Sequence, residues 1–76
     1  IGSPEQIKAL FGLTDAEARL AATLADGRSL REIAEATGAN YDTLRTHMKH
    51  LMRKTHVNRQ VELVALLLKS AAALSR

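Results

Sequence analysis

Apolar residues recur along this chain at intervals of three and four, in short runs broken by polar stops, which is the spacing of amphipathic helices. Ser3-Pro4-Glu5-Gln6 reads as a helix start, with a serine N-cap, proline at the first helical position and glutamine placed to close a capping box. This first helix ends near Phe11-Gly12, with Ile1 and Gly2 ahead of it expected to fray. Thr14-Asp15-Ala16-Glu17 is a second capping box, with Leu13 in front as a hydrophobic staple. It opens a helix to Asp26 that stops at Gly27, and Leu20 and Leu24 with Ala16, Ala21 and Ala25 form its apolar stripe.

Ser29-Leu30-Arg31-Glu32 repeats the box and starts a short helix with Leu30, Ile33 and Ala34 inward, closed by Gly38. Asn40 then caps a helix that begins at Tyr41, keeps Leu44, Met48 and Leu51 toward the core, and ends around Thr55-His56. Val57 is expected to pack back underneath. A last helix runs from Arg59 through residue 74. Five capped segments with short connections predict a compact all-α bundle.

The final helix is apolar on two sides. Val61, Val64, Ala65, Leu68 and Ala72 share one side of the helical wheel, and Leu63, Leu67, Ser70 and Leu74 share the other. Glu62 and Lys69 mark a narrow wet face between them. One core contact in so small a domain does not cover both stripes, so a second contact is expected. The reading assigns Leu63, Leu67 and Leu74 to a homodimer interface, with burial by a preceding domain as the competing explanation.

Composition narrows the class. The 76 residues form one small domain with a thin core, no cysteine and only two aromatics, Phe11 and Tyr41. Neither a disulfide framework nor a thiolate metal site is available. The longest apolar run, Leu63 to Leu68, is far too short to span a bilayer, so no membrane partner is expected. The lack of cysteine fits a reducing compartment, and the expected location is cytoplasmic, nucleoid-associated. Because the chain starts at Ile1, it is expected to be part of a longer protein whose sensor or receiver domain lies upstream.

The net charge of +3 is unevenly spread. Residues 1–40 hold six acids against four bases, while residues 41–76 hold seven bases against two acids. No acid lies between Asp42 and Glu62, and Arg45, Lys49 and Arg53 recur every four residues along one helix face. Two short helices joined by a tight turn, the second with a cationic stripe, have the layout of a helix-turn-helix DNA reader. Arg45 and Lys49 have the reach to meet guanine O6 and N7, against the alternative of a solvated face. Thr46 between them suits a thymine methyl or a phosphate. Tyr41 either bonds a phosphate or packs over the turn. His47 and His50, three apart with His56 the only other histidine, make a poor metal site, and no metal or cofactor is expected. Glu17 reads as a capping-box partner, with pairing to a base on a neighbouring helix as a second structural role. No set of convergent acids, bases or nucleophiles suggests an enzyme.

The ordered set Leu13-Thr14, Glu17, Gly27, Ser29, Glu32-Ile33-Ala34, Thr43-Leu44-Arg45, His47, Leu51, Lys54, Val57 and Arg59 resembles the LuxR/GerE-type DNA-binding domain of bacterial transcriptional regulators. The likeness covers about residues 13–70. It implies a four-helix helix-turn-helix domain over 13–76, with residues 1–12 as a lead-in helix or linker. It also implies a recognition helix, 41–55, in the major groove and dimerisation through helix 59–74. On that resemblance Arg45, Thr46 and Lys49 fall at base-edge positions. Thr43, Lys54 and Arg59 fall at phosphate positions, joined by Tyr41 and Arg53 from the stripe. The implied partner is double-stranded DNA carrying an inverted-repeat operator. Thr37 stands where the family usually has leucine, Ala39-Asn40 replaces an Ile/Val-Ser pair, and Thr55-His56 replaces Leu-Gly. The rival readings are a sigma-factor-like promoter-recognition region, against which the long apolar last helix argues, and a helical protein-interaction module with a basic face.

Overall fold

The computed structural model describes residues 4–74, apart from the side chains of Ala71 and Leu74. Within them the chain is all-helical: α1 (Pro4–Phe11), α2 (Asp15–Ala25), α3 (Leu30–Thr37), α4 (Tyr41–Thr55) and α5 (Gln60–Leu74). Ser3, the expected cap of α1, and the two residues before it lie outside the described residues.

The starts of α2 to α5 are held by short-range hydrogen bonds. At α2 the Glu17 amide donates to Thr14 Oγ1 at 3.2 Å and the Thr14 amide donates to Glu17 Oε1 at 2.9 Å. At α5 the amides of Asn58 and Arg59 both donate to Glu62 Oε1, at 3.2 Å each. Glu62 thus acts at the helix start as well as bordering solvent. α4 ends in a Schellman arrangement: the His56 amide donates to Arg53 O at 3.3 Å and the Val57 amide to Met52 O at 3.1 Å. His56 occupies the left-handed position of this motif, with φ 60°.

α2 is the centre of the packing, touching α1, α4 and α5, while α3 docks on α4. Ile7, Leu24, Leu51, Leu63 and Leu67 are the largest fully buried side chains. Burying each stabilises the fold by about 1.5–3 kcal/mol relative to leaving it exposed. Because Ile7 is one of them, α1 is packed into the same core as the rest. Val57 packs against that core as expected. Ala16 does not: it is exposed, and Ala18 takes an inward place on α2.

The larger correction concerns α5. Leu63 and Leu67, expected at a dimer interface, are both 0% exposed and lie in the monomer core. Val61, at 71% exposed, and Leu68, at 45%, turn outward with Ala65 and Ala72. The rotation follows from packing: α5 meets α1, α2 and α4 together, and two leucines one turn apart fill that junction. Leu74 continues their register, but its side chain lies outside the described residues.

Candidate nucleic-acid interface

The unit of α3, turn and α4 is built from residues that bond locally. Ser29 and Glu32 exchange capping-box bonds, 3.1 Å from the Glu32 amide to Ser29 Oγ and 2.9 Å from the Ser29 amide to Glu32 Oε1. The Ser29 backbone and side-chain donors hold the Glu32 carboxyl below its ordinary value. Gly38 ends α3 with φ 73°, where any Cβ would be strained. Thr37 Oγ1 donates to Ile33 O at 2.7 Å and accepts from the Ala39 amide at 3.3 Å, so it stitches the turn. Asn40 Oδ1 then accepts from the amides of Asp42, at 2.8 Å, and Thr43, at 3.3 Å, which starts α4.

Leu44, Met48, Leu51 and Thr55 are the buried stripe of α4 and fix its rotation. Arg45, Thr46, Lys49 and Arg53 are all exposed on the remaining surface, with Thr43 near the helix start. The Thr46 hydroxyl donates to Asp42 O at 3.1 Å, which anchors the side chain on the helix. Among the described residues none of Arg45, Lys49, Arg53 and Arg59 is in an ion pair. Their charge faces solvent uncompensated. Arg59 is exposed just before α5, beyond the end of α4.

Lys54 is placed differently from its expected phosphate role. Its Nζ lies 2.6 Å from Glu17 Oε1, and the Glu17 side chain is only 5% exposed. The ammonium is therefore turned onto α2. His50 Nδ1 lies 3.9 Å from the other carboxylate oxygen, Oε2. Burial by itself would raise the Glu17 carboxyl. The Lys54 ammonium and the hydrogen bonds from Thr14 outweigh that and leave it below the usual carboxylate range. Glu17 thus fills both of its expected roles, cap partner and cross-helix anion. His47 is half-buried and borders a shallow groove of ≈ 230 Å³ between α2, α3 and α4, with Thr37 on the opposite helix. Among the described residues no group of three or more His, Cys, Asp or Glu side chains could hold a metal ion, and no helix is long and apolar enough to cross a membrane.

Tyr41 opens α4 at 41% exposure, and the guanidinium carbon of Arg31 lies 5.8 Å from its ring centroid. Arg31 was not marked by the sequence pattern, since it stands on the helix with mixed charges. Its only signal there is an aromatic residue heading the four-spaced row Tyr41, Arg45, Lys49, Arg53.

Neither the curated proteins nor the solved structures contain a match to the chain. The family model of the bacterial regulatory proteins of the luxR family, GerE, matches residues 12–67. That span includes the capped α2, the α3–turn–α4 unit and the start of α5 through Leu67. The chain belongs to the luxR family of bacterial regulatory proteins, as a DNA-binding domain of helix-turn-helix type.

Proposed function

We propose that the domain reads a specific sequence in double-stranded DNA by laying α4 in the major groove. The observation that carries this reading is the row of cations on the exposed side of α4, none neutralised by an acid among the described residues. Arg45 and Lys49 offer donors to guanine edges, and Thr46 offers its methyl to thymine. Thr43, Arg53 and Arg59 hold phosphates, and Tyr41 stands at the leading end of the row. Lys54 is left out of the phosphate set because its ammonium is engaged by Glu17.

Assembly on DNA is as a two-fold dimer through the outward stripe of α5, Val61, Ala65, Leu68 and Ala72. These residues step by four, three and four, so they line one seam. The exposure of Val61 and Leu68 supports the assignment, because a monomer gains nothing from leaving two large apolar side chains on one seam in water. A two-fold dimer places recognition helices about 34 Å apart and calls for an inverted repeat with half-sites about 10 bp apart.

Selection of bound sites from a random DNA library, followed by a mobility shift against excess nonspecific competitor, tests this reading. A recovered inverted repeat that survives competitor is the expected outcome. Loss of all complexes to competitor would favour a protein-interaction module whose basic face meets an acidic partner.

A further inference from the structure

The cationic row on α4 begins one step before its first cation, at an aromatic ring. Tyr41, Arg45, Lys49 and Arg53 follow at four-residue intervals, each about 6 Å further along the axis and turned by about 40°. Such a row winds slowly round the helix, and its head lies nearest α3. There the guanidinium of Arg31 sits 5.8 Å from the centre of the Tyr41 ring, within cation–π range. Both residues are exposed. Glu35 stands four residues beyond Arg31 on the same helix, the spacing of a helical ion pair, yet among the described residues Arg31 forms no ion pair. Its side chain has turned to the neighbouring helix and the ring instead.

Attraction to a ring takes none of the guanidinium's five N–H donors, and among the described residues none of them is in a hydrogen bond or an ion pair. A planar fork so held is suited to a phosphate, and less side-chain entropy remains to be lost on contact. We propose that Arg31 is a phosphate-binding residue at the leading end of the recognition row and that Tyr41 is its positioning residue, acting through its ring. The proposal rests on the DNA-binding reading above and extends the footprint from α4 onto α3. The ring of Tyr41 holds the arginine, and its hydroxyl is dispensable.

The test measures affinity of the chain for its selected site and for random DNA across a salt series, with Arg31→Ala, Tyr41→Phe, Tyr41→Ala and the double alanine variant. Arg31→Ala should weaken binding to both DNAs and reduce the slope of log affinity against log salt by roughly one. Tyr41→Phe should stay within about twofold of the parent chain, while Tyr41→Ala should bind about two- to fivefold more weakly. The double variant should bind no more weakly than Arg31→Ala, because the ring acts only through the arginine. An unchanged slope for Arg31→Ala overturns the proposal, as does a Tyr41→Phe loss equal to that of Tyr41→Ala. Helical circular dichroism should match the parent in all four, since neither residue belongs to the core. If the parent chain itself fails to prefer the selected site, the DNA-reading assignment falls first and takes this one with it.

Discussion

Lys54 Nζ and Glu17 Oε1 are 2.6 Å apart, which ties the last turn of α4 to the first turn of α2. The same Oε1 accepts the Thr14 amide, so one carboxylate closes a helix cap and fixes the angle of a second helix. A covered anion is tolerable only with such partners, and removal of either leaves a charge without its counterpart.

Replacing Lys54 with methionine keeps most of the aliphatic stem and removes the charge. The cost should be about 1–2 kcal/mol, below that of a fully buried pair because Lys54 is about one-third exposed and partly screened. Urea unfolding measures it. The salt slope for DNA should stay unchanged, whereas Arg59→Ala should lower it by roughly one. A lowered slope for Lys54→Met would return Lys54 to the phosphate set.

The same pair sets an acid dependence. Glu17 has a folded value below its ordinary one, near 4.3 in an unfolded chain. Its stabilisation is therefore complete above the unfolded value and is lost as pH falls through the lowered folded value. Asp15, held down by a hydrogen bond from Lys8, and Glu32 add in the same direction. Subtracting the Lys54→Met stability from that of the parent isolates Glu17. The difference should be constant at neutral pH and shrink on acidification below about pH 4. A difference that persists at acid pH would mean that the lysine stem, not the ion pair, carries the effect.

On α5 two neighbouring leucines should respond in opposite ways. Leu67→Lys places a charge at a fully buried site and should unfold the domain or cost more than about 4 kcal/mol. Leu68→Lys, at a 45% exposed site, should keep the helical signal and melting behaviour but lose cooperative binding to an inverted repeat. Retention of that cooperativity by a folded Leu68→Lys would move the dimer contact off this stripe.

His56 offers a gain. It holds a left-handed conformation at the end of α4, where a β-carbon costs energy that glycine avoids. Part of that gain is offset by the greater freedom of glycine in the unfolded chain. His56→Gly should therefore stabilise by about 0.5–1 kcal/mol, which thermal denaturation would register as a rise of a few degrees. A lower melting temperature would mean that the imidazole makes a compensating contact.

Short-range chemistry was legible in the chain. The caps at Thr14, Ser29 and Asn40 each span three or four residues, so the pattern of types sufficed to find them. The inward stripe of α4 was equally plain, because polar residues surround it. α5 was not, since apolar residues occupy both sides and only the docking of α1, α2 and α4 selects Leu63 and Leu67. Lys54 looked like any other cation of α4, because its partner lies 37 residues away and the pairing is a tertiary event. Thr55 at the helix end shows how a departure from the family pattern is absorbed: it is buried, but its hydroxyl donates to Leu51 O at 2.8 Å. Arg31 needed the crossing of α3 and α4 to meet Tyr41.

The central claim is that α4 reads bases, and alanine at Arg45 and at Lys49 tests it most directly. Each variant should be titrated, at one fixed salt concentration, against the selected site and against random DNA of equal length. The account predicts a loss of about 1–3 kcal/mol on the selected site and a clearly smaller loss on random DNA, so that selectivity collapses. Equal losses on the two DNAs would contradict it and reduce both residues to contacts with the phosphate backbone.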